Sequence, residues 1–149
     1  MIETPRIMSP FIYFQERYRE HPWRLLCCTI MLNLTTGVAL ESVHEDFFRY
    51  FPAPESAVSG DTELMTLILQ PLGMQNIRVK RIKGMSRDYL EWDGKDPADL
   101  YGIGKYGSDS YRIFVFGELL DDVNDKELKK YVEWAKDIIS SKECSCSNI

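Results

Sequence analysis

Asp99-Leu-Tyr-Gly-Ile-Gly-Lys-Tyr-Gly107 sets two glycines two apart between an apolar anchor, Leu100, and a helical pattern that opens near Ser108. Glycine permits backbone conformations and close approaches that a Cβ would block. If Ile103 turns inward and holds the turn on a core, the backbone N–H groups that start the next helix face outward. Their orientation and the helix dipole then suit a phosphate. A Gly-x-Gly by itself is a weak signal and is more simply read as an ordinary helix–helix turn. Here its neighbours sharpen the reading, because Arg78-Val-Lys-Arg-Ile-Lys-Gly-Met-Ser-Arg87 upstream holds five basic residues and no acid, and Ser108 to about Leu120 downstream reads as an amphipathic helix.

Working outward, the other periodic segments also read as helices. No run of alternating β-branched residues is bounded by turn signals, so the expected fold class is all-α. Ser9-Pro10 has the form of an N-cap followed by proline at the first helical position, which predicts a helix to about Glu20. Pro22 to about Asn33 is apolar nearly all round, as a central buried helix would be. Gly37 to Phe51 is predicted as one helix, ended by Phe51-Pro-Ala-Pro. A short helix over about Asp61 to Leu69 stops before Pro71-Leu-Gly73. The next, about Gln75 to Leu90, turns Val79, Ile82, Met85 and Tyr89 inward and places Lys80, Lys83 and Arg87 on another stripe. That stripe is either a solvated helix face or a surface for a polyanion. One domain over residues 9–140 is expected, with an N-terminal tail, 1–8, and a polar unstructured tail, 141–149.

Composition narrows the class. Hydrophobic residues at 44% and charged residues at 28% argue against extended disorder and against a membrane protein. The longest apolar run, Leu25 to Leu32, is far short of the roughly 20 residues that span a bilayer. Met1-Ile-Glu-Thr-Pro-Arg has no basic region followed by an apolar one, so an intracellular chain is expected. The net charge of −5 opposes binding to a polyanion, but acids gather in Glu91 to Asp99 and Glu118 to Asp125, which leaves the basic segment locally uncompensated. Of the four cysteines, Cys27-Cys28 sits in the most apolar segment and Cys144-x-Cys146 in the tail, and neither pair has metal-ligand spacing.

The stretch from Leu100 to Phe114 resembles the helix-hairpin-helix segment of the methyl-CpG-binding-domain thymine DNA glycosylases, within the endonuclease III superfamily. Ser9-Pro-Phe with Gln15-Glu16, His21-Pro-Trp-Arg-Leu-Leu, Leu32-Asn33, Pro71-Leu-Gly73 and Leu128-Lys-Lys-Tyr131 are similar to that family's landmarks in the same order. The resemblance runs from about Ser9 to Trp134. It implies a monofunctional enzyme that flips thymine or uracil mispaired with guanine out of duplex DNA and hydrolyses its N-glycosidic bond in base excision repair. It also implies action as a monomer and, in a eukaryote, in the nucleus.

Cleaving that bond builds positive charge on the sugar, which a nearby carboxylate can stabilise while it orients water. The resemblance assigns this role to Asp125; capping of the following helix through an Asn124-x-x-Glu127 box is the structural alternative, and Asp122 is a competitor. Tyr106 stands where bifunctional relatives carry a Schiff-base lysine, and a phenol cannot form that adduct. Lys105 is adjacent and is expected to project elsewhere. No iron–sulfur ligand pattern is present, and neither cofactor nor metal is expected.

Gln15 lies on a mostly apolar face. It is either a boundary residue or, as the resemblance implies, the residue that reads the base in a pocket shared with Tyr106 and Leu32. DNA contacts are expected at Gly102, Gly104, Lys105 and Gly107 of the hairpin and at Lys80, Lys83 and Arg87. Leu34 replaces the family's arginine finger, and Leu72 and Met74 match its wedge positions. Glu127 replaces a lysine close to the catalytic aspartate. Two alternatives stay open: a noncatalytic hairpin module that grips DNA, and a glycosylase restricted to uracil or another damaged pyrimidine.

Overall fold

Trp23, Leu25, Leu26, Cys27, Cys28, Ile30 and Met31 are all buried on a single helix, which therefore forms the axis of the molecule. The computed structural model describes residues 4–147, with side chains through residue 142. This axis is α2 (Pro22–Leu32), preceded by α1 (Phe14–Arg17). After it come α3 (Gly37–Glu41), α4 (His44–Tyr50), α5 (Pro54–Ser59) and α6 (Thr62–Leu69). The chain continues through α7 (Gln75–Glu91), α8 (Lys105–Phe114) and α9 (Lys126–Ser147), with short 3-10 turns at Gln70–Leu72 and Pro97–Asp99. No strand occurs among the described residues, and none of their helices is long and apolar enough to cross a membrane.

The helices α1, α7 and α8 pack directly on α2, while α5 and α6 pack on α7. Among the described residues the buried side-chain polar atoms are paired, with Arg19 Nε the exception. The Trp23 indole N–H donates to Ser86 Oγ at 2.9 Å and so ties α2 to α7 without stranding a buried donor. Asp61 caps α6 by accepting from the N–H groups of Glu63 and Leu64. Cys27 and Cys28 are fully buried free thiols, and burial pushes both thiol pKa values up, so they behave as small apolar residues.

The all-α expectation holds, while several boundaries move. Ser9 does not start a helix at Pro10; Ile12 takes a left-handed backbone (φ 52°), and α1 begins only at Phe14. Within the segment read as an N-terminal tail, Thr4 and Pro5 are tied to the domain, with Thr4 N–H donating to Gly117 O at 3.0 Å and Arg19 donating to Pro5 O at 2.8 Å. The predicted Gly37–Phe51 helix is two, because the chain turns at Ser42-Val43, where Ser42 Oγ donates back to Ala39 O. Pro54, read as part of a breaker, is instead the first residue of α5. At the C-terminus α9 continues through Ser147, beyond the residue 140 boundary. The side chains of Cys144 and Cys146 lie outside the described residues.

Candidate active-site cleft and nucleic-acid face

A cleft of about 770 Å³ opens where four separate pieces of chain converge. These are the loop and α1 from Phe11 to Arg17, the end of α2 with its following turn and α3, the start of α8 and the start of α9. Gln15, Leu32, Tyr106 and Asp125, far apart in sequence, all line it. Gln15 is 3% exposed, and its Nε2 donates to Tyr106 Oη at 2.8 Å and to Ser110 Oγ at 3.3 Å. That arrangement leaves the amide oxygen as an acceptor. Ser110, fully buried on α8, was not singled out from sequence, since a serine one turn beyond Tyr106 carries no local signal.

Burial, and secondarily the Asp125 carboxylate, pushes the Tyr106 phenol up to about 12, so it stays protonated at neutral pH. Asp125 precedes α9 and caps it, accepting from Leu128 N–H through Oδ2 at 2.9 Å. Capping therefore belongs to Asp125 and not to Asn124. The second carboxylate oxygen has no hydrogen-bond partner among the described residues, and the residue lines the cleft. Capping and a chemical role are thus compatible in one side chain. Asp122, the competitor, is 84% exposed, sits 3.9 Å from Lys105 Nζ and does not line the cleft. Glu127 does line it, held by the Tyr13 hydroxyl. That hydrogen bond lowers the Glu127 pKa, while burial followed by the same contact pushes the Tyr13 phenol far up.

The hairpin has the expected form. Gly102 takes φ 78°, Ile103 is buried at 8% exposure, and Gly104 stands immediately before α8. A Cβ on Gly102 would press on Arg81 at 3.1 Å. Gly107 is buried, and it lets α8 approach Thr29 and Ile103 closely; its side-chain position faces the core and not the surface. The backbone N–H groups of Lys105, Tyr106 and Gly107 have no partner among the described residues. Lys105 lines a second cavity of about 430 Å³ along the hairpin but not the Gln15–Asp125 cleft, and its ammonium bonds Asp109 at 2.9 Å.

Two assignments are corrected. Lys83 is not part of an outward basic stripe: its Nζ donates to Ala57 O at 2.9 Å and Gly60 O at 2.8 Å and so caps the end of α5. Leu72 is 6% exposed and belongs to the core, so it cannot insert into a base stack. Lys80 and Arg87 are exposed as expected, and Arg81, overlooked from sequence, lines the hairpin cavity. Leu34 and Met74 are exposed, both with left-handed backbones. Arg78, another residue missed, bonds the backbone just before Met74 and a few residues before Leu34. It is 3% exposed, and its guanidinium donates to Gly73 O, Leu72 O, Ile30 O and Met31 O.

No protein-family model matches the chain. It is 34% identical over 109 residues to a methyl-CpG-binding domain protein 4-like protein of Arabidopsis thaliana, covering 73% of this chain and 24% of that protein. It is 27% identical over 104 residues to a thymine/uracil-DNA glycosylase of Pyrobaculum aerophilum, covering 65% and 45%. The chain thus spans between about a quarter and a half of the length of these relatives. Among solved structures, a thermostable thymine-DNA glycosylase matches with a TM-score of 0.64 at 22% identity, over 72% of this chain and 54% of that one, which shows the shared fold. With that fold, this hairpin and these relatives, the chain belongs to the glycosylase-domain family of the methyl-CpG-binding-domain thymine DNA glycosylases, in the helix-hairpin-helix superfamily.

Proposed function

We propose that the protein is a monofunctional DNA glycosylase that everts thymine or uracil mispaired with guanine and hydrolyses its N-glycosidic bond, in the nucleus if the source is a eukaryote. The observation that carries the reading is Asp125, which lines one cleft with Gln15 and Tyr106 and keeps one carboxylate oxygen uncommitted. That oxygen can stabilise the cationic sugar and orient water. The Gln15 amide and the Tyr106 hydroxyl offer polar contacts to a planar base, and Leu32 offers an apolar one. Incubation with duplexes carrying a G·T, G·U or A·T pair, followed by alkali, is expected to reveal abasic sites in the first two only. Intact G·T and G·U strands would refute the reading.

Water is the nucleophile in this proposal. Borohydride is expected to trap no covalent adduct, because no lysine lines the cleft. An adduct mapping to Lys105 would overturn monofunctionality.

The duplex is proposed to sit across the hairpin N–H groups, Lys80, Arg81 and Arg87. Few phosphates are then neutralised, so log affinity should fall only shallowly with log salt, at about −0.9 per contacted phosphate. Replacing Lys80 and Arg81 together with alanine should weaken binding to matched and mismatched duplexes about equally, since phosphate contacts do not read sequence. Lys83→Ala should instead lower thermal stability and leave affinity unchanged, because its ammonium is committed to α5. Anisotropy titrations and melts separate the two, and loss of affinity in Lys83→Ala would return that residue to the interface.

Leu34, 80% exposed, is proposed to fill the gap left by the everted base. Leu34→Ala should reduce capture of a G·U duplex and spare a matched one. Equal weakening of both would exclude the plug.

A further inference from the structure

Among the described residues three that are not glycine hold a left-handed backbone: Ile12 (φ 52°), Leu34 (φ 59°) and Met74 (φ 49°). All three are apolar and exposed, at 56%, 80% and 44%. Leu34 and Met74 already have a proposed role at the DNA. Ile12 has none, and for a β-branched residue this backbone is a genuine outlier. Such conformations persist only where the surrounding structure over-determines them, and they cluster at functional sites.

The determinant here is a buried carboxylate. Glu16, 8% exposed, accepts from Ser9 N–H at 2.7 Å, Ser9 Oγ at 2.7 Å and Tyr13 N–H at 2.8 Å. Both ends of the Pro10–Ile12 turn are thereby clamped. Core packing does not account for isoleucine at its tip, because the side chain stands out of the core, and glycine would adopt the same φ without strain. What the side chain does occupy is the cleft: Ile12 lines it beside Phe11, on a separate piece of chain from Leu34. Asp125 and Glu127 line the same cleft and disfavour a phosphate there, while Glu41 is neutralised by its two-point pair with Arg17, so the part of a nucleic-acid strand suited to this lip is the uncharged sugar.

We propose that Ile12 is a further DNA-contacting residue, held strained by Glu16 so that it packs on the deoxyribose of the everted strand as that strand crosses into the cleft. This rests on the glycosylase reading. The contact is to the strand that carries the target base and not to the gap it leaves. Its signature therefore differs from that of Leu34, because it persists on single-stranded substrate.

The test compares wild type, Ile12→Gly, Ile12→Met and Leu34→Ala on a fluorescein-labelled G·U duplex, on the uracil strand alone and on a matched duplex. Ile12→Gly is expected to melt no lower than wild type, since the strain is relieved, yet to release uracil about tenfold more slowly from both duplex and single strand. Its affinity for the matched duplex should be unchanged, and Ile12→Met should recover most of the rate. Leu34→Ala should be slowed on the duplex alone. Wild-type rates in Ile12→Gly, or a loss confined to the duplex, would overturn the proposal and leave the glycosylase reading standing. If wild type itself releases no base from any mismatch, both fall.

Discussion

Asp125→Asn is expected to reduce base release from a G·U duplex by at least about a hundredfold, the scale on which electrostatic stabilisation of a transition state acts. Binding to the same duplex should be nearly unchanged. The structure makes asparagine the informative substitute. Asp125 caps α9 through Oδ2, and an asparagine oxygen caps equally well, so the helix start survives while the negative charge proposed to act on the sugar is lost. Asp122→Asn should leave the rate unaltered, because that carboxylate is solvated and outside the cleft. Single-turnover rates on an end-labelled duplex, with affinities from anisotropy, measure both. Unchanged base release in Asp125→Asn, or a collapse in Asp122→Asn, would move the chemistry elsewhere.

The second large effect is one of stability. Arg78→Ala removes a buried guanidinium that bonds four carbonyls from two elements, the end of α2 and the loop before α7. Those carbonyls would be left buried without donors, a loss on the order of 3 kcal/mol. For a chain of this size that lowers the melting temperature by on the order of 10 °C. Arg78→Lys should fall between the two, since an ammonium has three donors and cannot span both elements. The same guanidinium sits next to both apolar tips: it fixes Gly73 just before Met74 and Met31 shortly before Leu34. Discrimination between mismatched and matched duplexes should therefore drop even at temperatures where Arg78→Lys is folded. A melt and a discrimination ratio equal to wild type would refute the keystone role.

Much of this molecule is legible along the chain. Local rules suffice where a residue's role is set by its near neighbours. The all-apolar run of α2 must be buried on every side, and Gly102-Ile-Gly104 forms its turn because glycine admits φ 78° and Ile103 anchors inward. Local rules fail where a distant group wins. Ser9-Pro10 has the form of a helix start, yet the Glu16 carboxylate takes the Ser9 and Tyr13 donors and delays α1 to Phe14. Lys83 and Arg78 share one basic run with Lys80 and Arg87, and only the arrival of α5 and of the α2 terminus draws those two inward.

By itself, then, the sequence determined the helical class, the central helix, the hairpin and the family resemblance, because periodicity, glycine stereochemistry and motif spacing are properties of contiguous residues. The resemblance already implied a pocket shared by Gln15, Tyr106 and Leu32; the tertiary structure alone decided that Ser110 backs Gln15, that Asp125 caps α9 while lining the same cleft, that Leu72 is core while Leu34 and Met74 are exposed, and that Ile12 stands strained at the lip. Each of those outcomes depends on which carbonyls, carboxylates and apolar surfaces meet across large sequence separations, and no local pattern encodes that meeting.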